Sequence, residues 1–275
     1  MPPPSVSTTR KVMNLINTTA LYAPTQALFE LLVGKRAWLL DADDTTWDSE
    51  RFAFQGCCDV VNRYLDTASI EPPDFFFTAR ELRERYRGRN AEAIFQQVAQ
   101  DFGLPIDDEK LAALVAEELD AAIEELWEHC VAAPGVVPAL QDLHSANRIV
   151  AMVSSSARER LDVCLRKTMV SGYFPYVFSA VDSLPVPRSK PAPDIYLYAL
   201  HKVGVGAEEA VAFEDGESGA EAAVNAGIDT VGYVGLLPQE EQDEQASTLL
   251  NAGAKLVIKD WSDVLPVIRH LSSGI

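Results

Sequence analysis

The chain has 275 residues, 48% of them hydrophobic, and carries a formal net charge of −18 at pH 7. This is enough apolar material for one large core, or for a core with a smaller second domain. The negative charge argues against nucleic acid or an anionic membrane as the main partner, and no stretch approaches the roughly 20 apolar residues of a membrane span.

Residues 1–35 precede the first predicted strand as an N-terminal extension. The first 29 residues hold no Asp or Glu, and their basic residues are Arg10 and Lys11, a composition that resembles an organellar transit peptide. We favour instead a helical segment packed against the body of the protein. Its apolar stripe would consist of Met13, Leu15, Ile16, Leu21, Leu28, Leu31 and Leu32.

The cysteines indicate a reducing compartment. Cys57 and Cys58 are adjacent, and Cys130 and Cys164 are far from them and from each other, a spacing that fits neither a zinc site nor a disulfide framework. We therefore expect reduced thiols in the core of a cytoplasmic protein, a monomer or homodimer. Organellar targeting by the N-terminal segment stays open at this point.

From residue 36 onward, short apolar runs alternate with helix-like segments. Strands are predicted at residues 37–40, 149–153, 211–213, 230–234 and 256–258. Helices are predicted at residues 137–147, 157–169, 192–203, 217–226 and 245–252, and the acidic run 238–245 is predicted to be a solvated loop. This alternation favours an α/β fold with a parallel sheet and helices on both faces. In such sheets the functional loops follow the carboxyl ends of the strands.

Residues 48 to about 133 interrupt the alternation. They contain no strand-like run, and Asp107 precedes a long helical pattern that ends near Cys130. Pro134 and Gly135 mark the return to the sheet. The sequence thus predicts a core domain of residues 36–47 and 134–275, with an α-helical cap domain of residues 48–133 inserted just beyond the first strand.

Asp41 and Asp43 stand at the end of the first apolar run, where packing does not need them. One carboxylate could attack an electrophile while the other moves a proton, with a divalent cation holding them together. A solvated turn is the alternative, because the chain has 41 acidic residues and pairs arise by chance. The groups that follow the other strands decide between the two.

Residues 154–156 are serines that follow the second long strand, where hydroxyl and backbone N–H groups can form an anion cradle or simply cap the next helix. Lys190 stands before two prolines that fix the backbone, and a rigidly held ammonium suits a charged phosphoryl group. Glu214 and Asp215 follow a third strand. Such acids are good Mg²⁺ ligands, although a helix N-terminus also favours them.

These groups occur in order in the segments DADDTTWDSE, VSSSARE, SKPAPDIY and FEDGESGAEAAVNAG, which begin at residues 41, 153, 189 and 213. The four segments resemble the motifs of the haloacid dehalogenase-like hydrolase superfamily. The similarity is to the subgroup with a helical cap after the first motif, which includes sugar-phosphate phosphatases and beta-phosphoglucomutase. It covers about residues 36 to 270 and implies a Rossmann-like core.

The resemblance implies a phosphatase that uses Mg²⁺. Asp41 would attack phosphorus and form an aspartyl-phosphate, and Asp43 would protonate the leaving group and then activate water. Phosphate would be bound by Ser154, Ser155, Asp44 and Lys190. The metal would be bound by Asp41, Asp43 through its carbonyl, Asp215 and Glu214, the last directly or through water.

The substrate implied is a small-molecule phosphate ester, a sugar or polyol phosphate. A phosphomutase is the alternative, but Ala53 stands where beta-phosphoglucomutase has a histidine. Asp43 argues against dehalogenation, because a leaving alkoxide needs an acid and a halide does not. A non-catalytic binding protein with the family fold is the least favoured reading.

Residues 80–90 hold five arginines in an otherwise acidic chain. Part of this island is explained by helical pairs at i,i+4 spacing, Arg80 with Glu84 and Glu81 with Arg85. We expect Arg89, with Arg87 and Asn90, to contact the substrate beyond its phosphate, where a second anionic group would suit a guanidinium.

Overall fold

Six of the apolar segments form one parallel sheet. The computed structural model describes residues 21–67, 76–86 and 89–273. The sheet has the strand order β5-β4-β1-β6-β7-β8, and a two-residue ribbon pairs β2 with β3. The strands are β1 (Ala37–Leu40), β2 (Trp47–Asp48), β3 (Val131–Ala132), β4 (Ile149–Ser154), β5 (Tyr176–Ser179), β6 (Ala210–Glu214), β7 (Asp229–Tyr233) and β8 (Leu256–Ile258).

Eleven α-helices flank the strands within the described ranges. They are α1 (Thr25–Leu32), α2 (Glu50–Thr67), α3 (Ala79–Tyr86), α4 (Ala91–Phe102), α5 (Asp108–His129), α6 (Val136–Ser145), α7 (Arg158–Lys167), α8 (Asp194–Val203), α9 (Glu217–Asn225), α10 (Gln239–Asn251) and α11 (Leu265–Ser273). The predicted fold class, a parallel sheet between two helical layers with a helical cap, is confirmed.

The central strand β1 shows why helices cover both faces of the sheet. Successive side chains of a strand point to opposite faces. Trp38 and Leu40 therefore enter one cluster of buried residues, where the Trp38 ring stacks on Phe213 at 5.3 Å between centroids. Ala37 and Leu39 enter the cluster on the other face. With both faces buried, the strand reads as an unbroken apolar run in the sequence.

The five predicted strands are confirmed to within one residue at each end. The edge strand β5 was missed, because its first residue, Tyr176, is exposed and the run of buried residues is too short to stand out. The ribbon of β2 and β3 was also missed, since two-residue strands leave no periodicity to detect.

One loop prediction was wrong. Residues 238–245 belong largely to α10, which begins at Gln239 rather than near residue 245. The acidic residues Glu240 and Glu241 lie in its first turn, where the helix dipole favours negative charge, and Pro238 precedes the helix without interrupting it. A run of acids thus marked a helix start and not a loop.

The N-terminal extension contributes one described helix, α1. Its Leu28 and Leu32 are buried in the core, and the Phe29 ring meets His270 of α11 edge-on at 4.9 Å. The three members of the predicted stripe before Leu21, which are Met13, Leu15 and Ile16, lie outside the described residues. Within the described part of the chain, no helix has the length and apolar character that crossing a membrane requires.

Helices α2 to α5 form the segment between β2 and β3. They share their own cluster of buried residues, which includes Val61, Phe95 and Leu114. Asn90 and Asp107 cap α4 and α5 by accepting from the backbone N–H groups of Ala93 and Lys110. The cap boundaries at residues 48 and 133 stay a prediction. All four cysteines are buried and free of disulfide bonds.

Candidate active site

The carboxyl ends of β4, β1 and β6 lie side by side, because these strands are neighbours in the sheet and run in parallel. Asp41 follows β1, and its N–H donates to the Phe213 carbonyl of β6 at 3.0 Å. Ser154 ends β4 and Glu214 ends β6. The sequence-predicted groups from three separate segments therefore meet at one edge of the sheet.

Lys190 joins these strand ends. Its Nζ donates to Asp41 Oδ1 at 2.5 Å, to the Val153 carbonyl at 2.8 Å and to Glu214 Oε1 at 2.7 Å. Burial alone would lower the pKa of Lys190, but the carboxylates of Asp41 and Glu214 outweigh it and raise the pKa above its ordinary value. The lysine is therefore a buried cation with all three N–H donors in use.

Asp41, Glu214 and Asp215 form an acidic triad in which one oxygen from each residue lies within 4.8 Å of the others. Burial raises the pKa of Asp41 well above its usual range while Lys190 opposes the rise, and burial and then Asp41 raise the pKa of Asp215. Three carboxylates against one ammonium leave a formal charge of −2. A divalent cation that prefers oxygen ligands, such as Mg²⁺, would balance that charge, so the donor set fits the expected metal.

One oxygen of the Glu214 carboxylate accepts two hydrogen bonds, and the other is packed against a glycine. Oε1 accepts from Lys190 and from the hydroxyl of the fully buried Tyr196. Burial, and then the charge of Glu214, raise the pKa of Tyr196 well above 10. The phenol therefore stays protonated and donates a hydrogen bond to Glu214. Oε2 lies 1.9 Å from the position that a Cβ would take at Gly219, so the carboxylate occupies space that only glycine leaves open.

Asp43 is oriented by two serine hydroxyls. Ser49 Oγ donates to its Oδ1 and Ser156 Oγ donates to its Oδ2, each at 2.5 Å. Ser49 precedes the first cap helix and Ser156 lies in the core loop after β4. The Asp43 side chain is outside the acidic triad. Its predicted role as a metal ligand rests on its carbonyl, and it stays a prediction.

The loop that carries the two aspartates is tied to the core. Thr46 Oγ donates to the Asp41 carbonyl at 2.6 Å, and Trp261 Nε1 donates to the Thr45 carbonyl at 3.1 Å. Thr45 Oγ also donates to Asp215 Oδ1 at 3.2 Å. The two buried threonines thus fasten the loop by hydrogen bonds.

Asp44 contacts the start of the first cap helix. It has a left-handed backbone with φ of 52°, and its Oδ1 accepts from the N–H groups of Ser49 and Glu50 at 3.2 and 3.0 Å. These contacts satisfy the start of α2. The carboxylate is therefore bound to the backbone of α2. Phosphate binding by Asp44 stays a prediction.

The serines after β4 shape a turn and bind its backbone. Ser154 Oγ accepts from the Ser156 N–H at 3.0 Å, and Ser155 Oγ accepts from the Lys190 N–H at 3.3 Å. The second contact joins the lysine loop, which carries Lys190, to the loop that follows β4. Phosphate binding by Ser154 and Ser155 stays a prediction.

Of the predicted specificity residues, Arg87 lies outside the described residues. Arg89 is exposed, and its N–H donates to the Tyr86 carbonyl at 3.2 Å. Asn90 is the N-cap of α4, which already accounts for its side chain. Of the two helical pairs, Arg80 with Glu84 is confirmed, but Arg85 pairs with Asp101 and Glu81 accepts from Thr78.

Sequence reasoning missed the residues that hold the principal groups in place. Ser49 and Ser156 orient Asp43, and Tyr196 and Gly219 fix Glu214. The signal available for Tyr196 was its place in the SKPAPDIY segment, six residues after Lys190 on a helix whose next turns are apolar. For Ser49 no local pattern points to Asp43.

The comparisons with known proteins agree with this geometry. The sequence model of the haloacid dehalogenase-like hydrolases matches residues 35–227. A phosphorylated carbohydrates phosphatase of Thermotoga maritima is 30% identical over 212 residues, which span 72% of this chain and 92% of that protein. A phosphoglycolate phosphatase of Caulobacter vibrioides is 29% identical over 177 residues, spanning 64% of this chain and 70% of that protein.

A solved structure has the same architecture. A conserved haloacid dehalogenase-like protein of unknown function from Agrobacterium tumefaciens superposes with a TM-score of 0.65 at 28% identity, covering 86% of this chain and 99% of its own.

Proposed function

The chain belongs to the haloacid dehalogenase-like hydrolases, and from that premise we propose that it is a Mg²⁺-dependent phosphatase acting through an aspartyl-phosphate. The proposed substrate is a small phosphorylated sugar or polyol. Support for the substrate class comes from the relative of Thermotoga maritima, which is named for phosphorylated carbohydrates.

One observation carries the proposal: the buried Lys190 ammonium bridges Asp41 and Glu214 beside Asp215. Phosphoryl transfer needs little covalent help from a protein, but it needs charge neutralised around phosphorus and a nucleophile held in line. A fixed cation next to a carboxylate and a cation-binding triad supports that chemistry.

In the first half of the reaction, an oxygen of Asp41 forms a bond to phosphorus while the bond from phosphorus to the substrate oxygen breaks. Asp43 gives its proton to that leaving oxygen. In the second half, Asp43 takes a proton from water, the water oxygen attacks phosphorus, and the bond to Asp41 breaks to release inorganic phosphate. Mg²⁺ bound at the triad would supply neutralisation of the phosphoryl charge. Lys190 holds the Asp41 carboxylate in place throughout.

Specificity is proposed to come from the helical cap, which would close over the site and exclude bulk water. We retain Arg89 as a residue that contacts the substrate beyond its phosphate, because its side chain is exposed and it precedes the start of α4. Arg89→Ala would then raise KM for the best substrate or change the order of preferred substrates. An unchanged KM and an unchanged order of preferred substrates would show that Arg89 does not contact the substrate.

The test is release of inorganic phosphate from a panel of phosphorylated sugars, polyols and 2-phosphoglycolate, with Mg²⁺ and with EDTA. We expect turnover with at least one ester, loss of turnover in EDTA, and recovery when Mg²⁺ is added back. A sugar 1-phosphate that gives an isomeric sugar phosphate instead of free phosphate would indicate a mutase. No turnover with any ester would contradict the proposal and revive a binding role.

A further inference from the structure

Tyr196 is the one phenol that reaches the acidic triad among the described residues. It lies on α8, six residues after Lys190, and its side chain is fully buried. The hydroxyl donates to Glu214 Oε1, the same oxygen that accepts from Lys190 Nζ. The Lys190 ammonium also lies 5.3 Å from the centre of the Tyr196 ring. Tyr196 thus contacts both partners of one buried ion pair.

The second oxygen of Glu214 has no freedom to compensate for a change at the first. Oε2 occupies the place of a missing side chain at Gly219, 1.9 Å from where a Cβ would stand. The carboxylate is therefore confined between Gly219 on one side and the two donors on the other. A rotation of Glu214 would break its contact with the Lys190 ammonium, which also donates to Asp41.

The chemistry of the donor matters as much as its place. A neutral hydroxyl satisfies a buried carboxylate without adding positive charge, so the triad keeps the formal charge of −2 that a divalent cation would balance. A second lysine would remove part of that charge. A phenylalanine would fill the same volume but leave Glu214 short of a donor where water has little access.

We propose that Tyr196 is a positioning residue, whose hydroxyl fixes Glu214 and through it sets both the divalent-cation site and the Lys190–Asp41 contact. The expected change in kcat rests on the proposed function. The expected change in Mg²⁺ binding does not, because binding can be measured without turnover.

The experiment compares Tyr196→Phe with the wild-type protein by two readouts. The first is the Mg²⁺ midpoint, taken as the Kd that fits the rise of Tm with Mg²⁺ concentration, because a ligand that binds only the folded protein stabilises it by RT ln(1 + [Mg²⁺]/Kd). The second is the split between kcat and KM for the best ester. We expect the Mg²⁺ midpoint to rise and kcat to fall by about tenfold each, the size of one hydrogen bond to a buried charge. KM should change less than twofold, since Tyr196 does not contact the substrate.

Tyr198→Phe is the matched control. It lies two residues along the same helix and loses the same hydroxyl, but its ring packs edge-on against Phe178 at 5.7 Å, away from the triad. Both of its readouts should match the wild type. Circular dichroism and Tm without metal establish that each variant folds.

A double-substitution series shows whether Tyr196 acts through Glu214. In a Glu214→Gln background, adding Tyr196→Phe should change the Mg²⁺ midpoint and kcat by less than twofold, because the contact is already altered. Equal tenfold losses in both backgrounds would overturn the proposal, as would a Tyr196→Phe protein that matches the wild type. If the wild type hydrolysed no ester, the proposed function would fail while the Mg²⁺ midpoints still tested Tyr196.

Discussion

The Lys190 ammonium lies 2.5 Å from Oδ1 of Asp41, although 149 residues separate them in the chain. The contact exists because β1 and β4 are neighbours in the sheet and the lysine loop is tied to the β4 loop through Ser155. Burial would favour the neutral acid at Asp41, and the lysine opposes this and keeps the charged form accessible. In the proposed reaction, that charged form is the nucleophile.

Replacing Asp43 should separate the two halves of the reaction. Asp43→Asn can accept from one of the hydroxyls of Ser49 and Ser156 through its oxygen and donate to the other through its NH2 group. It can neither give a proton to the leaving group nor take one from water. We expect kcat for a sugar phosphate to fall by roughly 100- to 10,000-fold. With p-nitrophenyl phosphate, whose leaving group needs little protonation, we expect a rapid release of up to one equivalent of p-nitrophenol followed by a stall. Steady turnover at the wild-type rate would show that Asp43 is not the general acid and base of the reaction.

Asp44→Asn should stabilise the metal-free protein at neutral pH. Burial raises the pKa of Asp44 from 3.8 to about 7, so the folded state disfavours the charged form. The free energy of unfolding therefore decreases as pH rises from 3.8, the pKa of Asp44 in the unfolded chain, through about 7, its pKa in the folded protein. Asparagine keeps the Oδ1 acceptor for the N–H groups of Ser49 and Glu50 and tolerates the left-handed backbone.

We expect the stability gain of Asp44→Asn to grow between pH 4 and pH 7, to roughly 1–3 kcal/mol, and then to level off. Urea unfolding at several pH values in EDTA measures it. A gain that is constant with pH, or that shrinks as pH rises, would contradict the assignment of a buried charge at Asp44.

Gly219→Ala should damage the site although it improves the helix. Alanine is favoured over glycine inside a helix by about 1 kcal/mol, and Gly219 lies within α9. Its Cβ would nevertheless collide with Glu214 Oε2, which Lys190 and Tyr196 hold in place through the other oxygen. We expect at least a tenfold loss in kcat and weaker stabilisation by Mg²⁺.

Gly216→Ala is the control for that change, since a Cβ there meets nothing within 4 Å. It should retain kcat to within about threefold. Equal behaviour of the two alanine variants, measured side by side, would show that the space at Gly219 does not matter to Glu214.

The core of this fold could be predicted because its strands are buried on both faces. Runs such as Ala37–Leu40 then read as continuous apolar segments, and the acids that follow them stand out by contrast. The edge strand at Tyr176–Ser179 lacks that contrast, because one side of it faces solvent. The acidic start of α10 was misread since acids favour both loops and the first turns of helices.

The site could be predicted only in part, for a similar reason. Asp41 and Asp215 stand out in the sequence as charges that follow apolar strands, and Lys190 stands out as a charge before two prolines. The groups that hold them do not, because a serine such as Ser49 or a tyrosine such as Tyr196 is ordinary in its own segment. Their roles depend on contacts across the chain, Ser156 to Asp43 over 113 residues and Tyr196 to Glu214 over 18.

In the proposed reaction, Asp41 accepts the phosphoryl group. The most direct measurement is mass spectrometry of the peptide that contains Asp41, taken from enzyme quenched in acid during turnover of its best ester in Mg²⁺. We predict that a fraction of this peptide gains the mass of one phosphoryl group at Asp41, and that the gain is absent from Asp41→Asn enzyme and from enzyme in EDTA. Full turnover by Asp41→Asn enzyme, or a phosphoryl group found on another residue during turnover, would contradict this prediction.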